Sequence, residues 1–166
     1  MSQDVAGDAS VRRATVDDLP RVIELYRELN AEDVYNLDAV RAIFARMADY
    51  PDYALYVAEA EGETLGTFTL LVMENLTHNG SRIAIIEAVA VAGEAQGRGI
   101  GRAMMRGALD LAREKGCYKA SLSTRLAREK AHSFYEGLGF KKHGFSFYTE
   151  LEQASAADEA ISERVA

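Results

Sequence analysis

Apolar positions recur along this chain in two rhythms. Leu19, Val22, Ile23, Tyr26 and Leu29 stand three and four apart, the period of one helix face. Asp17 and Asp18 offer an N-cap and Pro20 suits a first turn, so a one-sided helix is expected up to about Ala31. Val40, Ile43, Phe44 and Met47 repeat the spacing after Asp38, and Pro51 closes that second helix. The other rhythm is strand-like. Val11 to Thr15, Tyr53 to Ala58 and Leu65 to Met73 read as strands, the last two joined by a turn at Glu61-Gly62-Glu63. Glu74 to Ser81 is a polar loop, and the stretch from Arg82 to Val91 is apolar on both alternating sides. That pattern belongs to a central strand covered on both faces.

The second half continues in the same way. A glycine-rich turn, Gly97 to Gly101, opens a helix to about Gly116, with Ile100, Met104, Met105, Ala108, Leu111 and Ala112 as its buried stripe. Tyr118 to Ser123 is a further strand and Arg128 to Leu138 a short helix, ended by Gly139. Phe140 to Leu151 carries a final strand or pair of strands, with Phe145, Phe147 and Leu151 on one side. The expected organisation is a loose terminus over residues 1–10, one domain over 11–151, and a polar tail or weak helix over 152–166. Its class is α/β in the sense of α+β. A single clear βαβ unit excludes a doubly wound nucleotide fold.

Composition changes this picture little and charge somewhat more. The 166 residues include 48% apolar and 27% charged positions, and the formal charge is −7. An acidic chain is a poor binder of nucleic acid or anionic membrane unless its cations gather at one place. No apolar run approaches the roughly 18 residues of a membrane span. The first residues lack a signal-peptide pattern, so a cytoplasmic protein is expected. Cys117 is the only cysteine and reads as a small buried thiol. His132 and His143 lack metal-ligand spacing, so no metal site is expected.

The candidate chemistry lies between Ile83 and Arg106. Gln96-Gly97-Arg98-Gly99-Ile100-Gly101 has the form Q-x-x-G-x-G. Glycines let backbone approach a ligand closely, and the N–H groups of a following helix N-terminus favour anions. No Lys-Ser/Thr follows, so this is not a Walker loop, and the last glycine of a dinucleotide fingerprint is missing. By strict alternation Glu87 shares a face with Ile83, Ile85, Val89 and Val91. A carboxylate buried there has two readings: a general base with a raised pKa, or the partner of an arginine.

These parts together resemble the GNAT superfamily of acyl-CoA-dependent N-acyltransferases. The likeness covers roughly residues 11–151. It rests on Arg12 to Asp18 (R-x-A-T-x-x-D), Glu87-Ala88-Val89-Ala90-Val91, the turn Gln96 to Arg102, and the run from Ala131 to Phe140. Within the superfamily, Glu87 to Val91 with Gly116-Cys117-Tyr118-Lys119 resembles the glucosamine-phosphate N-acetyltransferases. Leu122-Ser123-Thr124 with Ala131-His132-x-Phe134-Tyr135 resembles the aminoalkylphosphonate N-acetyltransferases.

The resemblance implies a mixed, mostly antiparallel twisted sheet of six to seven strands flanked by about four helices, splayed between the fourth and fifth strands. It implies acetyl-CoA as cosubstrate, with backbone of Gln96, Gly97, Arg98, Gly99, Ile100, Gly101 and Arg102 holding the pyrophosphate. Backbone of Val89, Ala90 and Val91 would pair with the pantetheine arm. A bulge at this point would open the slot and change the face on which Glu87 lies. Glu87, through a water, would be the general base and Tyr135 the acid that protonates the leaving thiolate. By periodicity alone Tyr135 reads equally as core, beside Phe134 and Leu138. Many members carry Asn seven residues before this tyrosine, binding pantetheine; here that position is Arg128, which would reach a CoA phosphate or a substrate anion instead.

The expected partner is a small-molecule amine bearing phosphate or phosphonate, with no nucleic acid and no membrane, and the expected assembly is a homodimer. Two alternatives stand beside it: acetylation of a protein or peptide amine, and a non-catalytic acyl-CoA sensor. Tyr35, Asn36, Arg82, Ser123, Thr124 and Arg125 are the polar positions expected near the acceptor.

Overall fold

The computed structural model describes residues 9–151. The expectations for the first residues and for the tail lie outside them, apart from Ala9 and Ser10. The elements in order are β1 (Ser10–Arg13), α1 (Leu19–Leu29), α2 (Leu37–Met47), β2 (Tyr53–Ala60), β3 (Glu63–Met73), β4 (Arg82–Val91), α3 (Ile100–Glu114), β5 (Cys117–Ser121) and α4 (Glu129–Glu136). Short 3₁₀ turns precede α1, interrupt the β3–β4 loop and follow β4. Of the described residues, 9–128 form one unit and 129–151 another.

The first unit holds a five-stranded sheet in the order β1-β2-β3-β4-β5. The first four strands are antiparallel and β5 runs parallel to β4. The tight turn Glu61-Gly62, with φ of 55° and 80°, sets the β2–β3 register by pairing Ala60 with Glu63; two positive-φ residues match the twist of a hairpin.

The two faces of the sheet bury different residues. On one lie Ala54, Tyr56 and Ala58 with their cross-strand partners Leu70, Phe68 and Gly66. Helix α3 covers this face with Ile100, Met104, Met105, Ala108 and Ala112, all buried. Its approach is close: a Cβ on Gly107 would stand 2.7 Å from Cγ2 of Val11, and one on Gly66 2.9 Å from the sulfur of Met104. Phe68 is fully buried and stacks on Tyr56 at 5.2 Å, so its truncation to Ala would cost about 3–5 kcal/mol. On the other face Leu55 and Val57 join Ala14, Leu19 and Val22, and Tyr26, Val40, Phe44 and Met47 pack against them from α1 and α2.

The helix starts have local causes. Asp18 at the head of α1 accepts bonds from the backbone N–H of Thr15 at 2.7 Å and its hydroxyl at 3.0 Å. Arg12 donates two more to the same carboxylate, at 2.8 and 2.7 Å, and also bonds Glu59. The Asp18 carboxyl is thereby held down to about 2, mainly by Arg12. Asn36 caps α2 by accepting from the N–H of Ala39 at 3.0 Å, so this residue, expected at the acceptor, has a local structural task.

Three expectations are corrected. The sheet has five strands among the described residues, against the six to seven expected, because 140–151 forms no regular strand. Phe145, Phe147 and Leu151 are indeed apolar at alternate positions, yet all three are exposed; alternation names a face but supplies no ladder partner. The second correction concerns Val89 and Val91: Glu87 does share a face with Ile83 and Ile85, as expected, but not with the valines beyond it. Ala88 has φ of +51° and the β3–β4 register shifts between Thr67 and Thr69. Phe68 therefore opposes both Ala88 and Val89, a β-bulge. Beyond it the alternation is inverted. Glu87 shares its face with Ala90, since these pair with Thr69 and Thr67, while Val91 pairs with Gly66 and lies on the α3 face. Third, Cys117 is only partly buried, though desolvation still raises its thiol pKa.

In the second unit α4 ends in backbone bonds from Gly137, Leu138 and Gly139 to Ser133, Tyr135 and Glu136. Tyr135 is half-buried and packs edge-on against Phe134 at 5.2 Å and Phe140 at 5.7 Å.

Candidate active site

Three backbone features meet at the C-terminal end of β4. The first is an open strand edge. The β4–β5 ladder runs from Arg82 with Cys117 to Ile85 with Ser121 and stops there. Ile86–Val91 thus carries no ladder partner on that side, and the sheet splays where the resemblance implied. The bulge at Ala88 lies in this unpaired stretch and increases the local twist. The second feature is the turn after β4. Gly97 and Gly99 have φ of 79° and 84°, a region that side chains with a Cβ rarely enter. A Cβ on Gly97 would meet nothing within 4 Å, so space above this backbone is open to a ligand. The third is the start of α3. Gly99 is its N-cap and supplies no side-chain bond, which leaves the first-turn N–H groups for an anion. Arg98 is 3.6 Å from Glu61; for Arg102 and Arg106, both exposed, no carboxylate partner stands among the described residues.

Glu87 is exposed, contrary to the expectation of burial. Its neighbour across the strands, Thr69, donates its hydroxyl to the Glu87 carbonyl at 3.2 Å. Among the described residues no arginine pairs with the Glu87 carboxylate, so the ion-pair reading of this residue finds no support. The bulge follows at the next residue, and Ala88 is exposed as well. Thr67 gives its hydroxyl proton to the Tyr56 carbonyl at 2.9 Å, and burial pushes the pKa of the neighbouring Tyr26 phenol up to about 12, against a smaller lowering by Thr67. Tyr35 leans on Tyr26 at 6.3 Å and donates to Asp33 at 3.0 Å, which ties the α1–α2 connection to the Glu87 face.

Contacts from both ends of α1 reach the turn after β4, and neither was evident in the sequence. The carboxylate of Glu28 accepts from the N–H of Gly93 at 2.7 Å, fastening α1 to the turn just beyond β4. Arg21 donates to the Thr64 carbonyl at 3.0 Å and pairs with Glu94 at 3.0 Å. Arg128 reaches the C-terminal end of α1, at 3.4 Å from the Leu29 carbonyl. Arg82, expected near the acceptor, instead opens β4 and pairs with Glu74 at 2.5 Å and Asp52 at 3.6 Å. Asp52 also bonds Lys115, so this is a structural ion-pair cluster at the opposite end of the strand from Val91. No group of three or more metal-ligating side chains is present among the described residues, and no helix among them is long and apolar enough to cross a membrane.

The arrangement is an open strand edge, a bulge beside a carboxylate, and an anion-ready turn, all in sequence. Comparison with known proteins places the chain as a whole. The acetyltransferase (GNAT) family model matches residues 19–140. An aminoalkylphosphonate N-acetyltransferase of Salmonella typhimurium is 30% identical over 149 residues, covering 90% of this chain and 96% of that protein. A glucosamine 6-phosphate N-acetyltransferase of Trypanosoma brucei brucei is 33% identical over 89 residues, which are 54% of this chain and 58% of the relative. Among solved structures, an acetyltransferase from Agrobacterium tumefaciens, described as putative, superposes with a TM-score of 0.81 at 36% identity, covering 86% of this chain and 99% of that one. With the family model spanning more than half of the residues and the splayed sheet in place, the chain belongs to the acetyltransferase (GNAT) family.

Proposed function

We propose that this protein acetylates the primary amine of a small, anion-bearing molecule, with acetyl-CoA as donor and by direct attack in a ternary complex. The observation that carries this reading is the unpaired edge of β4 running into the uncapped start of α3. Acetyl-CoA, when bound, supplies a thioester carbonyl open to nucleophilic attack. The backbone of Gln96 to Arg102 would hold its pyrophosphate, helped by the α3 dipole, and Val89, Ala90 and Val91 would pair with its pantetheine arm as an added strand. The open space over Gly97 fits that use.

The chain's own work is proton movement. An alkyl ammonium has a pKa near 10 in water, so a proton must leave before the nitrogen can attack. Glu87, on the acceptor face and accessible to water, takes it through a bridging water. An N–H near the bulge, at Val89, supports the charge that develops on the carbonyl oxygen. The family resemblance assigns to Tyr135 the proton that the departing sulfur needs. The acceptor class is suggested by the names of the two relatives, each of which acts on an amine beside a phosphate or phosphonate. The test is thiol release from acetyl-CoA with a panel of amines, including 2-aminoethylphosphonate, glucosamine 6-phosphate, polyamines and peptides. Turnover of the small anionic amines supports the reading; acetylation of peptides alone, or of nothing, contradicts it.

A further inference from the structure

Resting on that proposed acetyl transfer, we infer that Arg128 is the residue that binds the acceptor's anionic group, so that it selects the substrate rather than holding the cosubstrate. Its position is the first argument. The guanidinium lies by the Leu29 carbonyl, at the C-terminal end of α1. That end of α1 is fastened to Gly93 through Glu28, and α1 covers the sheet face that carries Thr67, Thr69 and Glu87. Arg128 therefore stands on the Glu87 side of the sheet, at the end of β4 where the ladder has opened.

Its bonding is the second argument. A guanidinium has five N–H donors in a planar fork. Here one long bond of 3.4 Å to a carbonyl is recorded, and among the described residues no carboxylate pairs with Arg128. Arg12, Arg21, Arg41, Arg82, Arg98 and Arg113 are each paired with an acid; among the described residues Arg102 and Arg106, like Arg128, are not, but they lie on α3, which covers the opposite face of the sheet from Glu87. A guanidinium fork without an acid partner, on the same side of the sheet as Glu87, suits a molecule with both charges. The amine is directed to Glu87, and the phosphonate or phosphate oxygens take the fork in two parallel bonds.

The test compares matched acceptors on the whole protein. For wild type, Arg128→Ala and Arg128→Lys, kcat/KM is measured with 2-aminoethylphosphonate against propylamine, and with glucosamine 6-phosphate against glucosamine. The preference for the anionic member of each pair should fall by about 10- to 100-fold in R128A, through the acceptor KM, and partly return in R128K, whose point charge lacks the fork. An equal loss on both members of a pair, or a loss confined to the KM for acetyl-CoA, overturns the inference while leaving acetyl transfer intact. If no amine is acetylated by wild type, the proposed reaction fails instead. Calorimetric titration of 2-aminoethylphosphonate into CoA-saturated wild type and R128A then decides the inference by itself: weaker binding in the variant upholds it, and equal or absent binding in both overturns it.

Discussion

Replacing Asp18 by Asn tests how α1 is held over the sheet face that carries Thr67 and Thr69. The carboxylate is 9% exposed and accepts from Arg12 and from Thr15. Its pKa falls from 3.8 to about 2 on folding; at roughly 1.36 kcal/mol per pKa unit this is worth about 2 kcal/mol near neutrality. Arg12 is 38% exposed, so solvent screening makes that an upper figure. Because the folded pKa is the lower one, the stabilisation is complete above the unfolded value and fades as the pH falls through the folded value. Asn cannot ionise, so the variant lacks it at every pH. Urea denaturation should show wild type more stable than D18N by about 2 kcal/mol at pH 7, and by roughly half as much at pH 3. A difference that stays constant from pH 7 to pH 3, or that is below about 0.5 kcal/mol at pH 7, would refute the reasoning.

Two further perturbations address the site itself. Ala88 sits at φ of +51°, so Ala88→Gly should be neutral or stabilising by up to about 1 kcal/mol, whereas Ala88→Val should destabilise by more than that; thermal unfolding of the pair checks this. Gly97→Val places a branched side chain at φ of 79° over the open turn, and should weaken acetyl-CoA binding at least about tenfold by calorimetry, with a smaller change in the acceptor KM.

Much of this was legible from pattern, and the gaps have physical causes. The bounds of β4, Arg82–Val91, follow from a run of apolar residues with turn residues on either side. The stripe of α3 is equally plain, since Met104, Met105, Ala108 and Ala112 are buried as their spacing requires. The bulge left no trace in composition: an alanine at positive φ looks like any strand alanine, and the face inversion beyond it depends on pairing with Thr67 and Thr69. The exposure of Glu87 beside it was equally hidden from local spacing. Strands were over-counted at Phe145 and Phe147 because side-chain alternation does not say whether a ladder forms. The tethers Glu28 to Gly93 and Arg128 to Leu29 join residues far apart in sequence, and no local spacing announces them.

The central claim is that Glu87 removes the acceptor's proton beside an open β4 edge. Glu87→Gln keeps the shape of the side chain and takes away its basicity, and steady-state kinetics with acetyl-CoA and the best acceptor of the panel measure the effect. A fall in kcat of about 10²- to 10⁴-fold, with the KM for acetyl-CoA little moved, is the predicted result. An E87Q enzyme that turns over at the wild-type rate would contradict the account.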